Sequence, residues 1–271
     1  MRSNSPFITE TSHAIHEIYY MLRHYDWKKH GSALRKPMLV FMVNNAKGFY
    51  VGGMVDRFKG IISTYAWCKQ RNIDFRIRHI FPFELADYLD PAHYDWRLRE
   101  NEFSTSIWDA TLMRARGEYG RRLVKKKEFR KQIHYYGNRD FLDYINETGE
   151  TNYTWGELFK ELFQPGKELL ELVKQKSREI SKPYISAVFR FQNLLGDFKE
   201  YKFSTLNDEN RREELIKKCL NGLIDLQEQY PEMSILVTSD STTFIDRASE
   251  LPGIYVIGGK RVHMGCTADA A

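Results

Sequence analysis

The chain has 271 residues, 42% of them hydrophobic, enough for one large domain or two of ordinary size with packed cores. No run approaches the roughly 18 apolar residues of a membrane-spanning helix. The first twenty residues carry Arg2, Glu10, His13, His16 and Glu17 rather than an apolar leader, so a soluble, cytoplasmic protein is expected. The 41 basic residues barely exceed the 36 acidic ones, and the cysteines Cys68, Cys219 and Cys266 are odd in number and lie far apart, which fits reduced thiols in a core better than disulfides.

Taken in chain order, apolar and amphipathic runs alternate as in a parallel α/β architecture. An amphipathic helix is expected over 12–30, then a strand near Met38 to Val43. Residues Val51 to Gly60 read V-G-G-M-V-D-R-F-K-G and lead into a helix-like run from Phe58 to Lys69. A glycine loop between a buried strand and a helix N-terminus can cradle a phosphate, because glycines let the backbone approach and free N–H groups face the anion. Gly-Gly is equally a common tight turn. A second strand is expected near Ile73 to Ile80, followed by an irregular stretch from Phe81 to Asn101 with one short helix.

Charge is concentrated next. Between Arg114 and Lys131 nine basic residues stand against Glu118 and Glu128, a local net of +7 within a chain of net +5. Such a segment is either a solvated helix face or a surface for nucleic acid, anionic lipid or an acidic glycan. Gln132 to Tyr136 reads as a further strand. Two helices broken at Pro165-Gly166 are expected between Tyr153 and Ile180.

A second alternating series follows: a strand at Tyr184 to Phe191, a long helix over Asn207 to Gln229, a strand at Met233 to Thr238, a helix at Thr242 to Ser249 and a strand at Gly253 to Ile257. The expected organisation is an N-terminal Rossmann-like domain over 1–150, a helical bridge over 151–182 and a C-terminal nucleotide-binding domain over 183–271. In an open parallel sheet, ligands bind beyond the carboxyl ends of the strands, so three positions carry weight. Arg190 follows the strand ending near Phe189, where its forked donors would suit a diphosphate or a salt bridge to Asp197. Asp240 and Ser241 follow the next strand and could cap a helix or contact a nucleotide. Gly258-Gly259-Lys260-Arg261-Val262-His263 follows the last.

The ordered set G-G-M-V-D-R-F-K-G-I, V-F-R-F-Q-N-L-L-G-D-F, I-L-V-T-S-D-S and I-Y-V-I-G-G-K-R-V-H resembles the GDP-fucose-dependent fucosyltransferases of the α-1,2, α-1,6 and protein O-fucosyl superfamily, from about Met38 to the C-terminus. The resemblance implies a GT-B fold, two Rossmann-like domains facing across a cleft, with the acceptor mainly on the N-terminal side and GDP on the C-terminal side. It implies an arginine on the donor's β-phosphate at Arg190, and further donor contacts from Asp240, Ser241, His263 and the lip formed by Gly52, Gly53 and Arg57. Many members carry histidine two residues before the arginine, whereas this chain has Val188. Relatives also continue with helices that close the nucleotide domain, so the resemblance implies that those helices are missing beyond Ala271.

The expected activity is therefore inverting transfer of L-fucose from GDP-β-L-fucose to a glycan or glycolipid-linked acceptor. Arg190 would stabilise the leaving diphosphate, and Asp56, Asp197 or Glu200 would take the acceptor's proton. Asp56 reads equally as a plain helix N-cap. No D-x-D triplet occurs, which favours a metal-independent enzyme without a cofactor beyond the donor substrate. Two alternatives stand beside this reading: a transferase using another nucleotide-activated donor, and a non-catalytic binding protein using the basic segment. With only Tyr119 and Phe129 interleaved in that segment, no specific nucleic acid is expected, and peripheral membrane contact is the other use for it.

Overall fold

A computed structural model describes residues 15, 18–31, 37–44, 52–114, 120–125, 132–180, 183–197 and 204–257. The chain divides into two compact units, Met1–Gly166 and Lys167–Ala271, so the stretch 151–182 is shared between them rather than forming a separate bridge.

The first unit is built on a four-stranded parallel sheet. Strand β1 (Met38–Val43) is followed by helix α1 (Met54–Gln70) and strand β2 (Asp74–His79). A short β3 (Leu89–Pro91) precedes β4 (Ala110–Arg114), helix α2 (Gly120–Lys125) and β5 (Gln132–Tyr136). The strand order is β2-β1-β5-β4, which leaves β2 at one edge. Helix α3 (Leu142–Gly149), helix α4 (Trp155–Leu162) and strand β6 (Phe163–Pro165) complete the unit, with β6 antiparallel to β3.

Every residue of β1 is buried, because the sheet is covered on both faces, and this is why the strand reads as an unbroken apolar run. Leu39, Phe41 and Val43 join Ile61, Ile62 and Trp67 of α1 in the main core, whereas Met38, Val40 and Met42 face Tyr20, Leu98, Phe103 and Leu112. The helix α1 approaches so closely that a Cβ on Gly60 would lie 2.4 Å from the Gly137 carbonyl oxygen and 2.9 Å from the Phe41 ring. Gly60→Ala is accordingly expected to destabilise the first unit by about 2 kcal/mol in a urea titration, since a backbone oxygen cannot rotate away. A loss below about 0.5 kcal/mol would mean that the contact yields freely.

The second face of this sheet also holds a polar network. His134 Nε2 lies 2.9 Å from Gln132 Oε1, and His134 Nδ1 lies 2.7 Å from His24 Nε2. His24 Nδ1 lies 3.4 Å from the Tyr136 hydroxyl, which accepts from Asn44 Nδ2 at 2.8 Å. One proton arrangement satisfies all of these contacts: Tyr136 donates to His24, His24 to His134, and His134 to the amide oxygen of Gln132, with both imidazoles neutral. Burial, together with the cation Arg78, lowers the His24 pKa to about 4, and burial first of all holds His134 well below the usual range.

The second unit contains helix α5 (Lys167–Glu179), strand β7 (Tyr184–Phe189), helix α6 (Glu209–Gln229), strand β8 (Ser234–Ser239), helix α7 (Thr242–Ser249) and strand β9 (Ile254–Val256). Its sheet is parallel throughout, in the order β7-β8-β9. Ile235 and Val237 of β8 pack against Ile216 and Leu223 of α6 and Phe244 and Ile245 of α7. Both units are thus α/β with parallel sheets. No described helix is long and apolar enough to cross a membrane.

Several expectations shift. The N-terminal helix ends at residue 24, and residues 25–31 turn back, with Asp26 N–H donating to the Thr105 carbonyl. Helix α1 starts at Met54, so only Gly52 and Gly53 of the expected ten-residue glycine loop lie before it, with Val51 outside the described residues. Strand β4 and helix α3 had no counterpart in the sequence reading. Of the basic segment, 115–119 and 126–131 lie outside the described residues, as do Glu200, Cys266 and the whole of 258–271 with His263.

Candidate functional site

In the second unit the register of β7 on β8 pairs Phe189 with Ser239, so the residues that follow each strand, Arg190 and Asp240, emerge side by side. Arg190 Nη1 donates to Asp240 Oδ2 at 2.7 Å. The same carboxylate accepts the backbone N–H of Phe191 on Oδ1 and of Gln192 on Oδ2, each at 2.8 Å. The chain turns around Asp240 through Gln192, whose φ of 57° lies in the left-handed region. Asp240 itself is only 10% exposed, whereas 54% of the Arg190 side chain meets solvent. An exposed guanidinium is therefore fixed by a nearly buried carboxylate at the carboxyl ends of two parallel strands, the place where open α/β sheets bind ligands.

The neighbouring helix start is already occupied from within. Ser241 is the N-cap of α7 and is almost fully buried, and its Oγ accepts the N–H of Phe244 at 3.0 Å. Asp197 Oδ1 accepts from the Thr243 N–H at 3.0 Å and from the Thr243 hydroxyl at 2.8 Å. Burial alone would raise the Asp197 pKa, but hydrogen bonds from Ser241 and Thr243 outweigh it and hold the carboxyl below the usual range. The helix N-terminus thus has its anion, and it is Asp197.

These contacts bear on four of the residues singled out in the sequence. The salt-bridge partner of Arg190 is Asp240 rather than Asp197, because the strand register sets residue 240 beside it. Asp197 is a cap carboxylate whose depressed pKa disfavours general-base work. Ser241 caps a helix from a buried position, its hydroxyl oxygen accepting the Phe244 N–H. Asp240 accepts from Arg190 and from two backbone N–H groups, and so holds Arg190 in position.

In the first unit the glycine turn is real but is held differently from a phosphate cradle. Gly52 has φ 72°, and a Cβ there would lie 2.8 Å from both Asn138 Nδ2 and Asp56 Oδ2. Gly53 is the N-cap of α1 in extended backbone, with open space where a side chain would project. Asp56, read as a possible N-cap, is instead in the first turn, nearly half exposed and 3.2 Å from Lys59 Nζ. Arg57, expected to reach a donor, is 1% exposed. It donates from Nε to the Gly52 carbonyl at 3.1 Å and from Nη1 to the Phe81 carbonyl at 2.8 Å, and lies 3.1 Å from His79 Nε2. Arg57 fixes the glycine turn from inside the fold. Among the described residues no three His, Cys, Asp or Glu side chains converge to hold a metal ion.

No family model matches this sequence, and no curated protein does. Among solved structures the chain is similar to fucosyltransferase NodZ from Bradyrhizobium, at 10% identity and a TM-score of 0.49 over 83% of this chain and 79% of that one. A NodZ α-1,6-fucosyltransferase co-crystallized with GDP gives 10% identity and a TM-score of 0.49, covering 82% of this chain and 78% of that one. Arabidopsis thaliana FUT1, as a mutant in complex with GDP, gives 11% identity and a TM-score of 0.49 over 93% of this chain and 65% of that one. Identities of 10–11% leave the assignment of roles to the residues of this chain.

Proposed function

We propose that this chain is an inverting glycosyltransferase that moves L-fucose from GDP-β-L-fucose to a hydroxyl of a glycan acceptor. The observation that carries the reading is Arg190, exposed at the strand ends and locked by Asp240. The ordered sequence motifs around it support GDP-fucose as the donor. In the reaction the acceptor oxygen bonds to the anomeric carbon as the bond from that carbon to the β-phosphate oxygen breaks, and the electron pair leaves with GDP. A preorganised guanidinium stabilises the charge gathering on the diphosphate without reorganising, because Asp240 and the turn at Gln192 already hold it. The acceptor's proton goes to a carboxylate. No metal-diphosphate grip is invoked.

Arg190→Ala is expected to lower GDP-fucose turnover about 100-fold, near 2.7 kcal/mol of transition-state stabilisation, and to weaken GDP in a calorimetric titration. Fucosyl transfer to an acceptor mixture and GDP titration, each against the wild-type chain, check this. Wild-type turnover in the variant would remove Arg190 from the mechanism, and UDP binding as tightly as GDP would remove GDP-fucose as the donor.

A further inference from the structure

Strand β2 lies at the edge of the first unit's sheet and carries two arginines on the same side of its pleat, Arg76 and Arg78. Their surroundings differ. Arg76 meets Glu102 at 3.3 Å and the Tyr94 hydroxyl at 3.3 Å. Arg78 is half-buried, and among the described residues no carboxylate lies within ion-pairing distance of it, although Glu84 in the lining of the same cavity feels its charge. What supports it is the Phe103 ring, whose centroid lies 5.0 Å from the guanidinium carbon. That ring stacks in turn on the buried imidazole of His134, at 4.8 Å between centroids and 15° between planes. Withdrawing a guanidinium from water costs several kcal/mol, and one cation–π contact returns only about 1 to 2 of them. An arginine kept in this state is poised for an anion that comes from outside.

Arg78 opens into a cavity of about 560 Å³, which has room for one or two sugar rings. Three chemistries meet in its lining. Arg78, Arg97, Arg99 and Lys29 offer positive charge; Ile80 and Leu98 offer an apolar wall; Glu84 and Glu100 offer hydrogen-bond acceptors. A bare inorganic anion would leave the apolar wall and the two carboxylates unused, and a purely apolar ligand would strand the charges. A saccharide with an acidic substituent uses all three, because the acid pairs with the guanidinium, the C–H face lies on the apolar wall, and the hydroxyls donate to carboxylates.

We propose that this pocket binds an anionic saccharide, with its carboxylate or phosphate on Arg78 and its hydroxyls on Glu84 and Glu100. As a binding site the pocket stands on its own residues. As the acceptor site of a fucosyl transfer it rests on the function proposed above.

The test is calorimetric or ligand-observed NMR titration of the full chain with four probes: a glucuronate-containing disaccharide, a hexose 1-phosphate, the matching neutral disaccharide and inorganic phosphate. At least one of the two acidic sugars binds, and the stronger identifies the acid as carboxylate or phosphate. The neutral disaccharide and inorganic phosphate each bind at least about 10-fold more weakly, a difference of roughly 1.4 kcal/mol. Arg78→Gln loses about 10-fold in affinity for the acidic sugar, while GDP titration of the same variant gives the wild-type result. Should Arg78→Gln fail to fold, Lys29→Gln on the exposed rim weakens the acidic sugar about 3-fold and leaves the neutral one unchanged. Equal binding of acidic and neutral sugars, phosphate binding as tight as the sugar phosphate, no binding of either acidic sugar, or wild-type affinity in both variants overturns the proposal. A chain that binds the acidic sugar and ignores GDP upholds the pocket and removes the donor assignment.

Discussion

Replacing Arg57 by methionine is expected to lower the stability of the first unit by about 4 kcal/mol in a urea titration, although a charged residue on a helix is usually a tolerant site. The expectation rests on burial combined with three hydrogen bonds to acceptors inside the fold. The guanidinium is 1% exposed and spans three chain segments, donating to the Gly52 carbonyl, to the Phe81 carbonyl and to His79 Nε2. His79 Nδ1 lies 3.1 Å from the Phe83 carbonyl and must donate to it, which leaves Nε2 as the acceptor for Arg57. Methionine fills much of the same volume, so no large cavity enters the comparison. Three acceptors lose their donor, each at about 1 to 3 kcal/mol, with partial relaxation. The turn at Gly52 loses the contact that fixes its carbonyl, so protease sensitivity near 52 should rise together with the loss of stability. Arg57→Lys should recover little, because one ammonium cannot reach acceptors laid out for a fork. A loss below about 1 kcal/mol in Arg57→Met would mean that water or a rearranged loop replaces the arginine.

The sequence disclosed what depends on neighbours along the chain. Strands β1, β2, β5, β7 and β8 were placed within a residue or two, since each is a compact apolar or alternating run bounded by turns. Strand β4 escaped notice because it runs into the basic segment and is made a strand by pairing with β5. Arg190 was legible as a residue following a strand. Its partner was not, because Asp240 is set beside it by the parallel register of β7 on β8, fifty positions along the chain. Arg57 misled for a related reason: the carbonyls that hold it belong to a turn and to the segment after β2, and no spacing within α1 reports them. Ser241 was noted as a possible cap, and that local reading was the sound one, because capping acts within a few residues of a helix start; the part that Asp197 plays at the same helix start spans 46 positions and was not legible. The pairing of His24 with His134 spans 110 positions and carries no sequence signal at all.

Those histidines lead to the largest expected effect, which is acid unfolding of the first unit between about pH 6.5 and 4. His79 is lowered to about 4, by burial first and by Arg57 beside it second; His24 is lowered to about 4 by burial and Arg78. In the unfolded chain each returns to about 6.5, so below that pH the unfolded state binds more protons than the folded one and stability falls as pH falls. At pH 4 each histidine has cost about 3 kcal/mol, or roughly 6 together, which is comparable to the whole stability of a domain. His134 adds in the same direction, since burial first of all, and then His24 and Arg78 beside it, disfavour its charged form. Ordinary carboxylates titrate mostly near or below pH 4, so the window above it reports the histidines. All five tryptophans, Trp27, Trp67, Trp96, Trp108 and Trp155, precede Gly166, and the one histidine after it is His263. Tryptophan fluorescence in urea therefore follows the first unit alone, and its midpoint should drop steeply from pH 7 to pH 4.5. Replacing His24 by glutamine should flatten that slope, because a neutral amide can occupy the network without taking a proton. A midpoint that stays constant from pH 7 to pH 5 would mean that these rings admit water and protonate within the fold, and the buried proton arrangement drawn through Tyr136, His24 and His134 would then be wrong.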